Sequence, residues 1–211
     1  MGERSFVPAA GHDWFLPLYD PLQKLLGADA LRREILLRAD LVPGQKVLDI
    51  GCGTGSFLTL IGELHPDVEI VALDPDPKAL ARARQKCAQR ALAVQLDQGF
   101  SDALPYPDAC FDRVFSTFMF HHLASEQKQQ TLAEARRVLR PGGSLHLLDF
   151  GGTASHSEGW IARLLHSAEH LHDNFEGRIP TLMGESGFAD PAEIGHRSTW
   201  LGRVAHYRGT A

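Results

Sequence analysis

The sequence predicts an α/β fold: an open sheet of mostly parallel strands with helices on both faces. Short apolar runs bounded by turn residues alternate along the chain with longer segments of helical periodicity. A cluster of glycines lies between the first apolar run and the helix that follows it. Strands that alternate with helices form parallel βαβ units, so we expect crossover helices to cover both faces of the sheet.

The apolar runs place five strands, and the segments between them place three helices. The strands are predicted at residues 46–50, 69–73, 91–96, 110–116 and 144–150. The helices are predicted at residues 54–64, 77–90 and 125–139. Pro77 stands in the first turn of its helix, where proline is tolerated.

The two ends of the chain depart from this alternation. Residues 13–40 carry helix-like apolar positions, which are broken into at least two pieces by Pro17, Pro21 and Gly27. Residues 160–175 predict a further helix. Residues 193–197 and 201–207 are two strand-like runs so close together that we expect an antiparallel hairpin at the edge of the sheet.

The composition is typical of a globular domain and disfavours binding to nucleic acids or to membranes. The chain has 211 residues, of which 44% are hydrophobic and 22% charged. Its 21 basic and 26 acidic residues give a net charge of −5, unlike the basic surfaces of nucleic-acid and anionic-membrane binders. We find neither an apolar run of about 18 residues for a transmembrane helix nor a signal-peptide pattern. The three cysteines fit no zinc site or disulfide framework, so we expect a cytoplasmic protein.

The most informative segment is the glycine loop, Gly51-Cys52-Gly53-Thr54-Gly55, which follows the first strand. Its glycines allow a sharp turn and a close approach of ligand to backbone, but the third comes one residue early for a dinucleotide fingerprint. Asp49 precedes the loop, where a carboxylate disfavours a pyrophosphate and suits a cationic ligand. Asp74 follows the second strand, where a carboxylate binds ribose hydroxyls. These features predict a pocket for an adenosine with a cationic tail.

The sequence around this loop resembles the class I S-adenosylmethionine-dependent methyltransferases, and within them the type 11, ubiquinone- and menaquinone-biosynthesis-like group. The resemblance covers roughly residues 40–150. Its motifs, in the family's order, are residues 47–57, 72–76, 104–106 with 111–114, 120–123 and 134–143. It implies a Rossmann-like sheet of seven strands and methyl transfer from S-adenosylmethionine to an oxygen, nitrogen or carbon of a small organic acceptor.

The resemblance also implies roles for individual residues around the cofactor. Asp49 would hold the ammonium end of the methionine moiety, Asp74 would bind the ribose and Pro75 would flank the adenine. Three consecutive residues would line the methionine moiety through their backbone: Gly51, Cys52 and Gly53. Roles without a ligand stay open as well, because Asp49 can order the turn, Asp74 can cap a helix and the loop can be a plain turn.

Two parts of the pocket are less regular. Thr117, just after the fourth predicted strand, is assigned to the pocket wall. Gly99-Phe100-Ser101 stands where the family usually has Gly-Asp-Ala, so the carboxylate that bonds the adenine amino group is missing. We expect Phe100 to pack against the adenine and Ser101 to supply the polar contact.

The chemistry requires alignment and exclusion of water more than a catalytic triad, because methyl transfer from a sulfonium is an in-line displacement. His121 follows the fourth strand, at the edge where open α/β sheets bind ligands. It is a candidate general base, or else it caps the next helix or fills the core edge. Tyr19, in the N-terminal region, is a second candidate for contact with the cofactor or acceptor, with core packing as the alternative.

No metal site is predicted. His166 and His170 share a helix face and His172 is near, but spacing fixes no third ligand, and such histidines are usually surface residues. The placement of the cysteines disfavours arsenite as acceptor, and the lack of a basic appendage disfavours nucleic acid.

These expectations combine into one arrangement of the chain. We predict a helical lid at residues 1–40 and a cofactor-binding methyltransferase domain at residues 41–211. Within the latter, residues 151–187 are a variable segment that shapes the acceptor pocket. A homodimer through the terminal helices is a further hypothesis. Two other functions stay open: an NAD(P)-dependent oxidoreductase, and a regulatory subunit that binds S-adenosylmethionine without catalysis.

Overall fold

The computed structural model describes part of the chain: residues 27–151, 174, 177–199 and 202–211. The predictions for Tyr19, for most of the lid and for the helix that carries His166, His170 and His172 lie outside the described residues. Within the described part, no helix is long and apolar enough to cross a membrane.

One sheet organises the described residues. Its strands are β1 (Lys46–Ile50), β2 (Glu69–Asp74), β3 (Val94–Gln98), β4 (Phe111–Thr117), β5 (Leu139–Phe150), β6 (Ala189–Thr199) and β7 (Gly202–Thr210). The seven strands lie in the order β3-β2-β1-β4-β5-β7-β6. The first five in this order are parallel neighbours, and β7 lies antiparallel between β5 and β6. The predicted mostly parallel sheet with a C-terminal hairpin at its edge is confirmed.

Helices cover both faces of this sheet, as predicted. They are α1 (Ala28–Ala39), α2 (Ser56–Leu64), α3 (Pro77–Gln89), α4 (Ser125–Val138) and α5 (Ile179–Glu185), with a 3₁₀ turn at Phe120–His122. On one face, α1, α2 and α3 pack into a hydrophobic cluster through residues such as Ile35, Phe57 and Leu80. On the other face, α4 and α5 pack into a second cluster through Leu132 and Leu182.

The central strands are apolar on both sides because both of their faces are buried. In β1, Val47 packs into the cluster of α1, α2 and α3, whereas Leu48 packs into the cluster of α4 and α5. Successive side chains of a strand point to opposite faces. Asp49 therefore points to the same face as Val47, toward α1.

The third strand is displaced from its predicted position, residues 91–96. Ala91 has a left-handed φ of 51°, and the N–H of Leu92 donates to the carbonyl oxygen of Cys87 at 3.0 Å. These residues complete the turn that follows α3, so β3 begins only at Val94. The apolar residues of the predicted strand begin within this turn, and hydrophobic periodicity alone does not show where a turn ends and a strand begins.

The bounds of other elements also differ from prediction. The left-handed φ of 79° at Gly55 starts α2 at Ser56 instead of residue 54. The fifth strand starts at Leu139 instead of residue 144, because Leu139 pairs with Phe111 across an irregularity in the ladder. The hairpin strands β6 and β7 have 11 and 9 residues, longer than their apolar runs, since backbone pairing continues through polar positions.

Candidate functional site

The glycine loop turns the chain at the carboxyl end of β1. Gly51, Gly53 and Gly55 all have left-handed φ angles, of 75°, 54° and 79°. A Cβ on Gly51 would lie 2.3 Å from Cγ of Met119, and one on Gly55 would lie 2.9 Å from Cβ of Ala83. Glycine therefore lets the segment after β4 close onto the loop, and lets α2 pack against α3.

Hydrogen bonds from the protein itself hold the loop in this shape. The N–H groups of Gly51 and Cys52 both donate to the carbonyl oxygen of Leu73, at 2.8 and 3.1 Å. Lys86 of α3 donates from Nζ to Oγ1 of Thr54 at 3.0 Å. The loop is thus anchored both to β2 and to α3.

Asp74, the last residue of β2, joins the loop to the start of α3. Its Oδ2 accepts from the N–H of Gly53 at 2.7 Å, and its Oδ1 accepts from the N–H of Asp76 at 2.9 Å. Burial raises the pKa of Asp74, and these two hydrogen bonds oppose the rise. A carboxylate offers about four acceptor positions, so ribose hydroxyls can still bind it. The cap of α3 is Asp76, whose Oδ1 accepts from the N–H of Lys78 at 2.8 Å.

Asp49 and Arg32 are buried charged residues, and several of their polar atoms have no hydrogen-bond partner among the described residues. Asp49 is fully buried, and both of its carboxylate oxygens are among these atoms. Arg32 of α1 is 6% exposed, and its Nε and Nη1 also lack partners. Nη1 lies 3.7 Å from Oδ1 of Asp29, too far for a hydrogen bond. Burial raises the pKa of Asp49 to about 7. The negative charge of Asp74 adds to this rise, whereas the positive charge of Arg32 opposes it.

Unpaired buried charges are costly, so their presence points to a ligand that pairs with them. A ligand with an ammonium and a carboxylate supplies a donor for Asp49 and an acceptor for Arg32. The α-amino-acid end of S-adenosylmethionine carries both groups. The residues at the glycine loop therefore fit the cofactor that the sequence predicts.

The residues assigned to the adenine lie near the carboxyl ends of β2 and β3. The carbonyl oxygen of Pro75 accepts from Nε2 of Gln98 at 3.1 Å. Phe100 is half-buried in the segment after β3. Ser101 Oγ lies 2.8 Å from Oγ1 of Thr131, so α4 orients this hydroxyl. The structure thus brings Pro75 and Phe100 to one edge, with the Ser101 hydroxyl turned to a neighbouring helix.

The segment after β4 connects the loop to Arg32. Thr117, predicted to follow the fourth strand, is the last residue of β4 and is buried. Phe118 has a φ of 56°, a conformation that costs a non-glycine residue about 1 kcal/mol and is enriched at functional sites. Cζ of Arg32 lies 5.7 Å from the centroid of the Phe118 ring, which is itself 5.7 Å from the ring of Phe150.

His121 lies in the 3₁₀ turn and pairs with Asp149 of β5. Its Nδ1 is 2.6 Å from Oδ1 of Asp149, and its backbone N–H donates to Oδ2 at 3.1 Å. Both side chains are buried. The N-cap residue of α4 is Ala124, so capping that helix is not the role that His121 takes.

Sequence reasoning did not identify Arg32 and Asp149. Each leaves a signal in the sequence, because each is a charge inside an apolar pattern. Arg32 occupies the same buried helix face as Leu31 and Ile35, and Asp149 interrupts the apolar run of β5. A charged residue within an apolar segment is unusual, but the sequence does not show which residue or ligand it contacts.

The described part of the chain contains neither a disulfide nor a group of residues suited to bind a metal ion. Cys52, Cys87 and Cys110 are free thiols, and burial raises the pKa of each. Among residues 27–151, 174, 177–199 and 202–211, no three or more His, Cys, Asp or Glu residues are grouped to hold a metal ion.

Comparison with known sequences shows relatives that are methyltransferases. A family model described as a methyltransferase domain matches residues 47–143. A demethylmenaquinone methyltransferase of Deinococcus radiodurans is 42% identical over 151 residues, which cover 70% of this chain and 62% of that protein. A demethylmenaquinone methyltransferase of Thermus thermophilus is 38% identical over 152 residues, covering 70% of this chain and 68% of that protein. The match thus spans less than two thirds of the Deinococcus protein.

A solved structure shares the fold. Phosphoethanolamine N-methyltransferase 2 of Haemonchus contortus, in complex with S-adenosyl-L-methionine, superposes with a TM-score of 0.74 at 21% identity. The superposition covers 92% of this chain and 47% of that chain. At this identity the comparison shows the fold alone, whereas the sequence relatives show the family. By its glycine loop, its sheet and these relatives, the chain belongs to the class I S-adenosylmethionine-dependent methyltransferases.

Proposed function

We propose that this protein transfers the methyl group of S-adenosylmethionine to a small organic acceptor. The observation that carries the proposal is the buried pair of Asp49 and Arg32: both carboxylate oxygens of Asp49, and Nε and Nη1 of Arg32, have no hydrogen-bond partner among the residues that the structure describes. Bound S-adenosylmethionine supplies an electrophilic methyl group on its sulfonium. Asp49 and Arg32 hold its amino-acid end and so fix the direction in which the methyl group points.

The other sequence-predicted residues complete the cofactor site in this proposal. The backbone of the glycine loop, from Gly51 to Gly53, lines the methionine moiety, and Asp74 binds the ribose. Pro75 and Phe100 hold the adenine between them, with Ser101 beside it. Thr117 belongs to the wall of the pocket at the end of β4. The anchored position of the loop and the acceptor capacity that remains on Asp74 support these roles.

The acceptor belongs, in this proposal, to the class of hydroxylated aromatic molecules. Relatives at 42% and 38% identity are named demethylmenaquinone methyltransferases. Reduced demethylmenaquinone is an electron-rich, dihydroxylated ring, and is the first acceptor to test. Residues 151–187 shape the acceptor pocket and residues 1–40 form the lid, of which the described helix α1 already packs into the core through Leu31 and Ile35.

Two alternatives are less well supported. A nicotinamide cofactor would bring a pyrophosphate to a loop that already has the carboxylate of Asp49 beneath it, and like charges repel. A regulatory subunit that binds the cofactor without catalysis has the same loop, and the methyl-transfer assay below distinguishes it.

Cellular setting and assembly also belong to the proposal. We place the protein in the cytoplasm, acting on small molecules and not on nucleic acid, and the three free thiols support a reducing compartment. A homodimer is the proposed assembly, and light scattering after size-exclusion chromatography tests it.

The decisive experiment is calorimetric titration of the full chain with S-adenosylhomocysteine, NAD and NADP in parallel. We expect only S-adenosylhomocysteine to bind, and Asp49→Asn to weaken it about 10-fold or more, because a hydrogen bond to a charged group contributes about 1.5–3 kcal/mol. Asp67→Asn, at an exposed aspartate, is the matched control and is expected to bind as the wild type does.

Transfer of labelled methyl from S-adenosylmethionine to reduced demethylmenaquinone then tests catalysis. Binding of NAD or NADP instead of S-adenosylhomocysteine would overturn the proposal. Binding of S-adenosylhomocysteine without transfer to any hydroxylated aromatic acceptor would favour the regulatory subunit.

A further inference from the structure

His121 and Asp149 form a buried pair at the carboxyl ends of β4 and β5. Nδ1 of His121 lies 2.6 Å from Oδ1 of Asp149, and the two side chains are 3% and 1% exposed. Asp149 also accepts the backbone N–H of His121 at 3.1 Å and that of Phe150 at 2.7 Å. Two backbone N–H groups, those of His121 and Phe150, therefore hold the Asp149 carboxylate in place.

This geometry selects one tautomer of the imidazole. An ionised carboxylate only accepts hydrogen bonds, so Nδ1 of His121 carries the ring proton that Asp149 binds. The ring nitrogen left to accept a proton from a ligand is then Nε2. A carboxylate in this position also stabilises the imidazolium that forms when Nε2 takes up a proton.

The pair lies beside the proposed cofactor site. Met119, two residues before His121, packs against Gly51 so closely that a Cβ there would lie 2.3 Å from Cγ of Met119. The ring of Phe150 contacts His121 edge-on, with centroids 5.2 Å apart, and lies 5.7 Å from the ring of Phe118. Phe118 in turn lies against Arg32. The rings of Phe150 and Phe118 thus lie between the His121–Asp149 pair and Arg32, which holds the amino-acid end of the cofactor in the proposed function.

We propose that His121 is the general base of the reaction, that Asp149 is its positioning residue, and that the acceptor reacts through an ionisable hydroxyl group. This inference rests on the proposed function and assigns the residue that takes the proton of its hydroxylated aromatic acceptor.

In this step Nε2 of His121 takes the hydroxyl proton of the acceptor. The electron pair of the O–H bond, on oxygen or delocalised to the adjacent ring carbon, forms the new bond to the methyl carbon. The C–S bond breaks and its pair stays on sulfur. Where carbon is methylated, that carbon then loses its own proton to water, the imidazolium of His121 returns a proton to the ring oxygen, and the ring becomes aromatic again. No oxidant or reductant is consumed.

The first test compares His121→Gln and Asp149→Asn with the wild type, using reduced demethylmenaquinone as acceptor. We expect kcat to fall about 100-fold or more in both variants, while the affinity for S-adenosylhomocysteine stays within a few-fold. Added imidazole is expected to restore part of the rate of His121→Ala. The matched control is His196→Gln, which breaks a histidine–carboxylate pair of similar length at the surface, where His196 Nδ1 lies 2.9 Å from Glu193 Oε1.

The second test does not depend on turnover. Nitrogen NMR of histidine-labelled protein, with the His121 signals assigned by their loss in His121→Gln, reports which ring nitrogen carries the proton. We expect the Nδ1–H form in the wild type and its loss in Asp149→Asn, because an amide can donate to Nδ1 and reverse the tautomer. The Nε2–H form in the wild type would overturn the proposal.

The outcomes separate this inference from the proposed function. If the wild type transfers methyl and His121→Gln retains its kcat, the base assignment is wrong and the methyltransferase stands. If the wild type neither binds S-adenosylhomocysteine nor transfers methyl, the proposed function fails first. A folded Asp149→Asn variant with normal kcat and an unchanged tautomer removes the positioning role of Asp149.

Discussion

Arg32 and Asp49 are the residues at which folding and the proposed ligand binding oppose each other most directly. Both are buried, and several of their polar atoms have no hydrogen-bond partner in the part of the chain that the structure describes. An unsatisfied buried charged group costs stability, whereas the same group paired with a ligand contributes to affinity. The free protein therefore carries the desolvation cost of these atoms, and in the proposed complex the bound ligand offsets that cost.

Replacement of Arg32 by methionine tests this balance. We expect Arg32→Met to weaken binding of S-adenosylhomocysteine about 10- to 100-fold, because it removes the partner of the carboxylate. We expect the stability of the free protein to change little, because the loss of a buried guanidinium with two unsatisfied nitrogens is offset by the loss of its attraction to Asp49. Calorimetry and thermal unfolding measure the two effects.

Arg33→Met is the matched control, since Arg33 is the next residue on α1 and its side chain is 47% exposed. It is expected to change neither property. Unchanged affinity in Arg32→Met would remove Arg32 from the site.

At the scale of elements, the glycine loop sets how closely α2 and α3 approach. Gly55 starts α2 with a left-handed φ, and Ala83 of α3 lies against the position where its Cβ would be. The neighbours within 3.0 Å are Cβ and Cα of Ala83, which cannot rotate away. Close packing of the two helices therefore requires glycine for its size as well as for its φ.

Two alanine substitutions separate these two requirements. Gly44 has a φ of +82°, close to the +79° of Gly55, but no atom lies within 4 Å of its added Cβ. We expect Gly44→Ala to lower the free energy of unfolding by about 1 kcal/mol, from backbone strain alone. We expect Gly55→Ala to lower it by roughly a further 1–3 kcal/mol, from overpacking.

Urea denaturation of both variants measures the difference. Equal losses would mean that α2 and α3 separate at little cost, and that Gly55 is required only for its φ. Cofactor affinity of Gly55→Ala then shows whether the loop tolerates that separation.

For the whole molecule, β7 joins the parallel part of the sheet to the hairpin edge, and a buried histidine pair lies at this junction. His146 Nδ1 is 3.2 Å from His206 Nε2, and Ser144 Oγ is 3.0 Å from His146 Nε2. Burial lowers the pKa of His206 to about 4, mainly by desolvation and further by the charge of Arg38. Burial also lowers the pKa of His146. Both rings are therefore neutral in the folded protein at neutral pH.

This pair makes the fold sensitive to acid. The pKa of His206 is below its ordinary value of 6.5, so between about pH 6.5 and 4 the unfolded chain binds more protons than the folded chain. Stability is therefore lost as the pH falls through this window, on the order of 3 kcal/mol for this residue at most. We expect His206→Gln to show a shallower loss than the wild type over the same range.

Urea denaturation at several pH values measures these slopes. His196→Gln is the control, because His196 is an exposed histidine of the adjacent strand, and it is expected to keep the wild-type slope. An unchanged slope in His206→Gln would assign the acid sensitivity to other groups.

The sequence alone determined the features that depend on patterns within short segments of the chain. Alternating apolar runs and helical segments predicted the parallel sheet, and the spacing of Gly51 to Gly55 with Asp49 and Asp74 predicted the cofactor pocket. His121 was placed at the ligand-binding edge for the same reason, since the carboxyl ends of parallel strands lie together. The bounds of β3 and β5 were less accurate, because a turn and a ladder irregularity leave the apolar pattern unchanged.

Only the tertiary structure decided which charges meet. Asp149 is 28 residues from His121, and Arg32 comes from a helix that precedes the sheet. Such pairs depend on strand register, on helix packing and on which side chains are excluded from water, and none of these is encoded within a short window of sequence. The sequence thus determined the glycine loop, and the packing of α1 and β5 decided which charged side chains are buried near it.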